Sequence, residues 1–177
     1  AYEKDHLGRN FHYSTVSYEE DHFYGFGEQN GALDKAGRHM HMNPRDSIGI
    51  NNLQGGPTYK HIPFYIRVNE NQRHALGLFY NNSYDCVFDM GNERSGYWDS
   101  FCYYSSEGGD IDLFLMNGPD VKSVVDRYTY LTGREALANK QAPGFMYTTM
   151  YYGELARNCD RAIYEILDQF EEDGLGI

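Results

Sequence analysis

The sequence predicts a mainly β protein: a β-sandwich followed by a short strand-and-helix unit. Aromatic residues make up 16% of the 177 residues, with 17 Tyr and 10 Phe, and these residue types favour strands. Between about residues 24 and 116, short apolar or alternating runs are separated by Gly, Asn and Pro. That spacing is typical of a sandwich. Two helical patterns follow, with a strand-like segment at 145–152 between them.

The strand patterns are of two kinds. In residues 84–90 and 110–115 every second residue is apolar, and the side chains that should share one face are Tyr84, Cys86, Phe88 and Met90 in the first segment and Ile111, Leu113 and Leu115 in the second. Residues 62–66 and 75–80 are more continuously apolar. They are therefore predicted to be central strands with both faces covered.

Two amphipathic helices are predicted after the strands. The first follows Asp120, a capping residue, and ends at Gly133, and its apolar stripe is Val121, Val124, Val125, Tyr128 and Leu131. The second spans about 158–173, and we expect its stripe to be buried: Ile163, Ile166, Leu167 and Phe170. Together with 145–152 it reads as a βα unit that leads into a further strand at 175–177. Such an ending indicates a piece of a longer chain.

Charge and cysteine content exclude several classes of protein. The net charge of −11 argues against nucleic acid and against an anionic membrane surface as partners. The sequence contains no apolar run of about 18 residues, the length of a membrane span. The three cysteines are odd in number and widely separated, which favours free thiols in a reducing, cytoplasmic compartment over disulfides or a metal cluster.

Six motifs, in order, resemble those of glycoside hydrolase family 31, the α-glucosidase family. They are F-Y-G-F-G-E (23–28), G-R (37–38) with N-P-R-D (43–46), T-Y-K-H-I-P-F (58–64), A-L-G-L-F-Y-N-N (75–82), G-G-D-I-D-L-F (108–114), and G-P (118–119) with Y-T-Y-L-T-G-R (128–134). Each motif alone is weak, but the order and spacing are specific. The resemblance covers residues 23–177. The segment T-T-M-Y-Y (148–152) is similar to the S-T-M-x-Y form of a bacterial branch.

This resemblance implies a galactose-mutarotase-like β-sandwich over 1–137, incomplete at its start, and the truncated first βα unit of a (β/α)8 barrel over 138–177. The implied parent is a retaining α-glycosidase without a cofactor. Its two catalytic carboxyls should be about 5–5.5 Å apart. In the family both lie on later barrel strands, so no catalytic residue is assigned within this chain.

The resemblance also implies a substrate-binding pair, Arg45 and Asp46. In the family such a pair lies on a long loop that reaches over the barrel mouth. A carboxylate that accepts hydrogen bonds from two sugar hydroxyls would orient the ring, and the neighbouring Arg would hold that carboxylate in place. The alternative is that N-P-R-D is a polar turn, for which Pro and Asp are common.

Two further substrate-binding residues, Met150 and Tyr152, are implied at the end of the first barrel strand, where barrel active sites form. Met150 stands where better-known members carry an aromatic residue of the sugar pocket, so the sugar itself cannot be carried over. Tyr152 matches the family's tyrosine at that place, with packing as the alternative role.

Other features favour structural roles. His39 and His41 should share a strand face, but with no third ligand at a recognisable spacing we assign no metal site. Glu28 is expected to order the backbone. The implied partner is a carbohydrate, and the exposed helix stripe makes a homo-oligomer possible. Two alternative functions stay open: a carbohydrate-binding β-sandwich without hydrolysis, which the strand and helix at 145–177 argue against, and an inactive relative that serves in interactions.

Overall fold

The computed structural model describes residues 2–16, 20–46, 49, 58–97, 100–140, 142, 144, 146–155 and 157–175. It divides into two compact units, Ala1–Gly133 and Arg134–Ile177. No helix among the described residues is long and apolar enough to cross a membrane.

The described residues form nine strands and three helices. The elements are β1 (Tyr2–Lys4), β2 (Asn10–Thr15), β3 (Asp21–Gly27), β4 (His39–Met42), β5 (His61–Asn69), β6 (His74–Tyr80), β7 (Cys86–Asp89), β8 (Phe101–Ser106), β9 (Leu113–Gly118), α1 (Val121–Thr132), α2 (Tyr151–Glu154) and α3 (Cys159–Glu172). All nine strands and α1 belong to the first unit.

The first unit is a β-sandwich, as predicted. Sheet A has the strand order β1-β2-β8-β7-β4, and sheet B has the order β3-β5-β6-β9. Every pairing is antiparallel. Alternate residues of the two sheets form one aromatic-rich core, whose fully buried members include Phe23, Phe26, Phe88, Met90 and Tyr104.

Helix α1 covers the other face of sheet B. Its caps match the prediction, because the Asp120 side chain accepts a hydrogen bond from the Ser123 amide at 2.7 Å and Gly133 has φ 104°. Val124 is fully buried in a second core cluster, and Tyr128 stacks on Phe64 with ring centroids 3.9 Å apart. The sandwich therefore has a third, helical layer, which the continuously apolar β5 and β6 require.

Two residues of the predicted strand faces, Tyr84 and Leu115, are exposed, and so are Val121, Val125 and Leu131 of the predicted α1 stripe. Tyr84 precedes β7, which begins at Cys86, so the alternation of the strand does not extend to it. Leu115 lies on β9, one of the two edge strands of sheet B. The covered part of its face ends at Leu113, which is partly buried. The buried residues of that strand are Met116, which packs beneath α1, and Gly118.

The second unit differs from the prediction. The described part of 145–152 contains no strand, and Tyr151–Glu154 form a short helix instead. A strand needs a neighbour to pair its backbone groups, and no other strand lies among the described residues of this unit. Helix α3 is present and is followed by Gly174 at φ 72°. The apolar face that we expect to be buried has no cover here, because no residue of α3 is buried.

Candidate functional site

The predicted pair Arg45–Asp46 lies on the loop between β4 and β5, and both residues are exposed. The Asp46 carboxylate is held by a residue that was not predicted: the Tyr59 hydroxyl donates to its Oδ1 at 2.6 Å. Arg45 contributes a backbone contact, with its amide donating to the Thr58 carbonyl at 3.2 Å. The two ends of the loop are therefore tied together at this pair.

Glu28 anchors the returning end of the loop. Its carboxylate accepts from the Lys60 amide at 3.1 Å, and its own amide donates to the Lys60 carbonyl at 2.8 Å. The Thr58 hydroxyl also donates to the Glu28 carbonyl. Glu28 thus orders the backbone on both sides of Tyr59, as expected, and thereby positions the partner of Asp46.

Two glycines of the F-Y-G-F-G-E motif allow this close approach. Gly25 and Gly27 have φ of 126° and 76°, and the β3–β5 register shifts between them. A Cβ at Gly27 would lie 2.7 Å from the Lys60 carbonyl oxygen, and one at Gly25 would lie 2.7 Å from that of Phe64. Because only Gly tolerates both this conformation and this contact, the motif builds a bulge where the loop ends.

An open depression of about 350 Å³ lies beside the start of the loop. Its lining mixes apolar and polar residues: Met42, Pro44, His61, Pro63, Phe79, Tyr80, Asn81, Asn82, Ser83, Tyr84, Asp85 and Cys86. Burial lowers the pKa of His61, against the effect of its hydrogen bond to the Thr58 carbonyl. The imidazole is therefore mostly neutral at pH 7, and Asp85 is the charged side chain of the lining.

Met150 and Tyr152 belong to the second unit. Met150 directly precedes α2 and is 83% exposed. The Tyr152 ring packs edge-on against Tyr147 at 6.4 Å, and Tyr147 packs against Phe170 at 5.5 Å. Tyr152 therefore has a packing role in this unit. Its assignment to a sugar pocket, and that of Met150, stays a prediction.

His39 and His41 share the solvent face of β4, as predicted. The acidic residues Asp89 and Glu93 lie near His39 and do not form a group with His41 in the described residues. Atoms of His39, Asp89 and Glu93 lie within 4.8 Å of one another, an arrangement that could hold a cation. The fully buried Asp89 is already used, since Oδ1 accepts from the amides of Gly91, Asn92 and Glu93 and Oδ2 contacts His39 at 3.0 Å. We therefore assign Asp89 to the turn after β7.

Comparison with known proteins identifies the fold. Residues 3–89 match the family model of the glycosyl hydrolase 31 N-terminal galactose mutarotase-like domain. Alpha-glucosidase 2 of Bacillus thermoamyloliquefaciens is 36% identical over 154 residues, which are 87% of this chain and 18% of that protein. An alpha-xylosidase of Emericella nidulans is 30% identical over 86% of this chain and 17% of its own length.

Solved structures agree. The glycoside hydrolase family 31 dextranase of Flavobacterium johnsoniae, complexed with isomaltotriose, has a TM-score of 0.76 and 25% identity, covering 97% of this chain and 19% of that chain. The cycloalternan-degrading enzyme of Trueperella pyogenes shares the fold, with a TM-score of 0.72 and 17% identity over 96% of this chain and 23% of its own. The chain belongs to glycoside hydrolase family 31. It spans less than a fifth of the two curated relatives named above.

Proposed function

We propose that this chain is the non-catalytic N-terminal part of a retaining α-glycosidase and that it presents Asp46 to the incoming sugar. One observation carries the second half of the proposal: an exposed loop carboxylate is fixed by the Tyr59 hydroxyl at 2.6 Å. Family membership and the names of the relatives, an alpha-glucosidase and an alpha-xylosidase among them, support the first half.

The geometry suits the recognition of hydroxyl groups. An ionised carboxylate accepts about four hydrogen bonds in total. The Tyr59 bond uses one acceptor position on Oδ1 and so leaves Oδ2 for sugar hydroxyls. The Arg45 side chain is exposed, so its guanidinium would be available to donate to a bound sugar. Since a charge-assisted hydrogen bond is directional and strong, a carboxylate held in this way orients a sugar ring before chemistry.

In this proposal the reacting carboxyls lie elsewhere in the parent protein, on later strands of a (β/α)8 barrel. Residues 138–177 would supply the first βα unit of that barrel, and Met150 and Tyr152 would line its pocket. That unit would need further barrel strands beside it to pair its own strand. A cytoplasmic, bacterial parent with a carbohydrate as its partner completes the proposal.

The role of Asp46 is tested in the full-length parent. We expect Asp46→Ala to lower kcat/KM on cleaved α-glycosides by about 10- to 100-fold, the equivalent of one or two hydrogen bonds to a charged group. Tyr59→Phe keeps the carboxylate and should cause a smaller loss. Asp110→Ala, at another exposed carboxylate of the same unit, is the matched control. Unchanged kinetics of Asp46→Ala on every cleaved substrate would contradict the proposal.

The non-catalytic assignment has its own test. The 177-residue chain should not release p-nitrophenol from p-nitrophenyl α-glycosides, whereas the parent should. Measurable turnover by the 177 residues would show that the reacting carboxyls lie within them.

A further inference from the structure

Sheet A carries a row of aromatic rings on the face that points away from the sandwich core. Phe11 and Tyr13 lie on β2, and Phe101 and Tyr103 lie on β8. The Tyr13 ring centroid is 6.0 Å from that of Phe11, 6.1 Å from that of Phe101 and 6.0 Å from that of Tyr103. The four half-buried rings form one continuous patch, which we call the aromatic platform.

The strand neighbours of these rings show that the platform is not part of the core. On β8 the alternate residues Cys102 and Tyr104 are buried in the sandwich. On β2 the alternate residue His12 contacts the buried Tyr80 hydroxyl at 2.7 Å. Successive side chains of a strand point to opposite faces, so the four platform rings lie on the outer face.

Carboxylates hold the two tyrosines of the platform. The Tyr13 hydroxyl donates to Glu3 at 3.2 Å, and the Tyr103 hydroxyl donates to Glu93 at 2.7 Å. Burial raises the pKa of both phenols, and the neighbouring carboxylates raise it further, so both hydroxyls stay protonated donors. Glu3 and Glu93 are exposed and keep further acceptor positions facing solvent. At one end the Arg9 guanidinium lies 5.8 Å from the Phe11 ring centroid.

We propose that the aromatic platform is a second carbohydrate-binding surface, which holds a neutral α-glucan chain apart from the Asp46 loop. The choice of an α-glucan rests on the proposed function. The C–H faces of sugars stack on aromatic rings, and their hydroxyls donate to carboxylates. This platform offers both chemistries side by side.

The charge around the platform argues against two other occupants, a second copy of this chain and an anionic polymer. Glu3 and Glu93 lie beside the rings, and the chain carries a net charge of −11. A second copy laid face to face would bring two pairs of carboxylates together, and an anionic polymer would meet the same repulsion. A polyhydroxylated, uncharged chain meets neither penalty.

The test uses the full-length parent and electrophoresis in native gels that contain soluble starch or dextran. The wild type should be retarded relative to a gel without polysaccharide. We expect Tyr13→Ala/Tyr103→Ala to weaken the affinity for the polysaccharide by about tenfold or more, since two stacking surfaces are lost. Tyr13→Phe/Tyr103→Phe keeps the rings and should retain most of the retardation. Tyr130→Ala, which removes an exposed tyrosine from α1, should migrate as the wild type does.

A second variant protects the test against misfolding of the alanine pair. Glu93→Gln keeps the shape of the side chain and removes its charge, and we expect it to weaken retardation by a few-fold. Equal retardation of the wild type and the folded alanine pair would overturn the proposal. So would a concentration-dependent dimer in sedimentation that the alanine pair loses, because the occupant would then be a second copy. Retardation that Asp46→Ala abolishes would assign all binding to the loop.

Failure of this proposal is distinguishable from failure of the proposed function. A parent that is retarded through the platform but cleaves no α-glycoside overturns the proposed function alone. A parent that cleaves α-glycosides but is not retarded overturns the platform alone.

Discussion

Helices α1 and α3 have the same kind of sequence pattern and different surroundings. Val124 of α1 is 0% exposed against sheet B. In α3, Ile163 and Leu167 are 41% and 36% exposed, and no residue of the helix is buried. Spacing of apolar residues therefore predicts a helix in both units, but burial of the stripe depends on an element that can cover it.

The largest expected effect is the loss of a core ring in the first unit. Phe88 contacts the rings of Phe26, Tyr80 and Tyr104 at centroid distances of 5.1–5.4 Å. Phe88→Ala should lower the free energy of unfolding by about 3–5 kcal/mol. Urea denaturation of the 177-residue chain measures it.

The matched change in the second unit is Ile163→Ala, which we expect to stay within about 0.5 kcal/mol of the wild type. Val124→Ala in α1 should cost about 2 kcal/mol, because it leaves a cavity in a closed layer. If Ile163→Ala costs as much as Val124→Ala, the contrast between the two helices is wrong.

The reactivity of the cysteine thiols should also differ between the two units. Cys86 and Cys102 are buried free thiols of the first unit, whereas Cys159 is exposed in the second. Burial raises the pKa of Cys86 to about 12 and that of Cys102 to about 11. At pH 8 the two buried thiols should react with iodoacetamide at least about a hundredfold more slowly than an ordinary free cysteine, because few thiolates are present.

Peptide mapping by mass spectrometry after native labelling checks this. Cys159 should carry the label first, and all three should label in urea. Early labelling of Cys86 or Cys102 would contradict the closed core.

Glycine substitutions should differ in sign between the units. A Cβ at Gly77 would lie 2.5 Å from Val124 Cγ1 and 3.0 Å from Phe64 Cε2. Gly77→Ala should therefore lower the free energy of unfolding by about 1–3 kcal/mol. Gly153 of α2 has open space around its Cβ position, so Gly153→Ala should be neutral or should stabilise by up to about 1 kcal/mol. Thermal unfolding compares the two, and a destabilising Gly153→Ala would reveal a packed neighbour of α2.

The smallest effect is a pH dependence in the first unit. The hydrogen bond to Asp34, 2.7 Å from His22 Nδ1, raises the pKa of His22. A raised pKa adds stability that is fully present below the ordinary value of about 6.5 and is lost as the pH rises through the folded-state value. The amount should be below about 1 kcal/mol, because both groups are partly exposed.

The free energy of unfolding, measured at about pH 6 and pH 9 for the wild type and for Asp34→Asn, tests this contribution of His22. The difference between wild type and Asp34→Asn should shrink at the higher pH, since His12 and His61 titrate in both proteins and cancel. A difference that does not change with pH would remove His22 as its source.

Much of the first unit follows from local pattern. The β-sandwich, the caps of α1 at Asp120 and Gly133, and the backbone role of Glu28 were all predicted. The bond between Tyr59 and Asp46 was missed, although both residues lie in recognised motifs. The platform was also missed, but it has a signal: Phe-x-Tyr occurs at 11–13 and at 101–103, with the spacing of one strand face.

The strand predicted at 145–152 is absent from the described residues of that segment for a different reason. Its sequence resembles a strand, but a strand depends on a pairing partner that these residues do not contain. The stripe of α3 is left uncovered for a related reason, because its burial depends on elements outside the stripe itself.

By itself, the sequence determined the family, the sandwich and the positions where α1 and α3 begin and end, because motif order, periodicity and capping act between residues near in the chain. The tertiary structure alone decided which residues meet: Asp46 with Tyr59, and Tyr13 opposite Tyr103 in the β2–β8 register. The reason is that sheet register and loop closure join residues far apart in the chain. A one-residue slip would exchange the aromatic platform with the core.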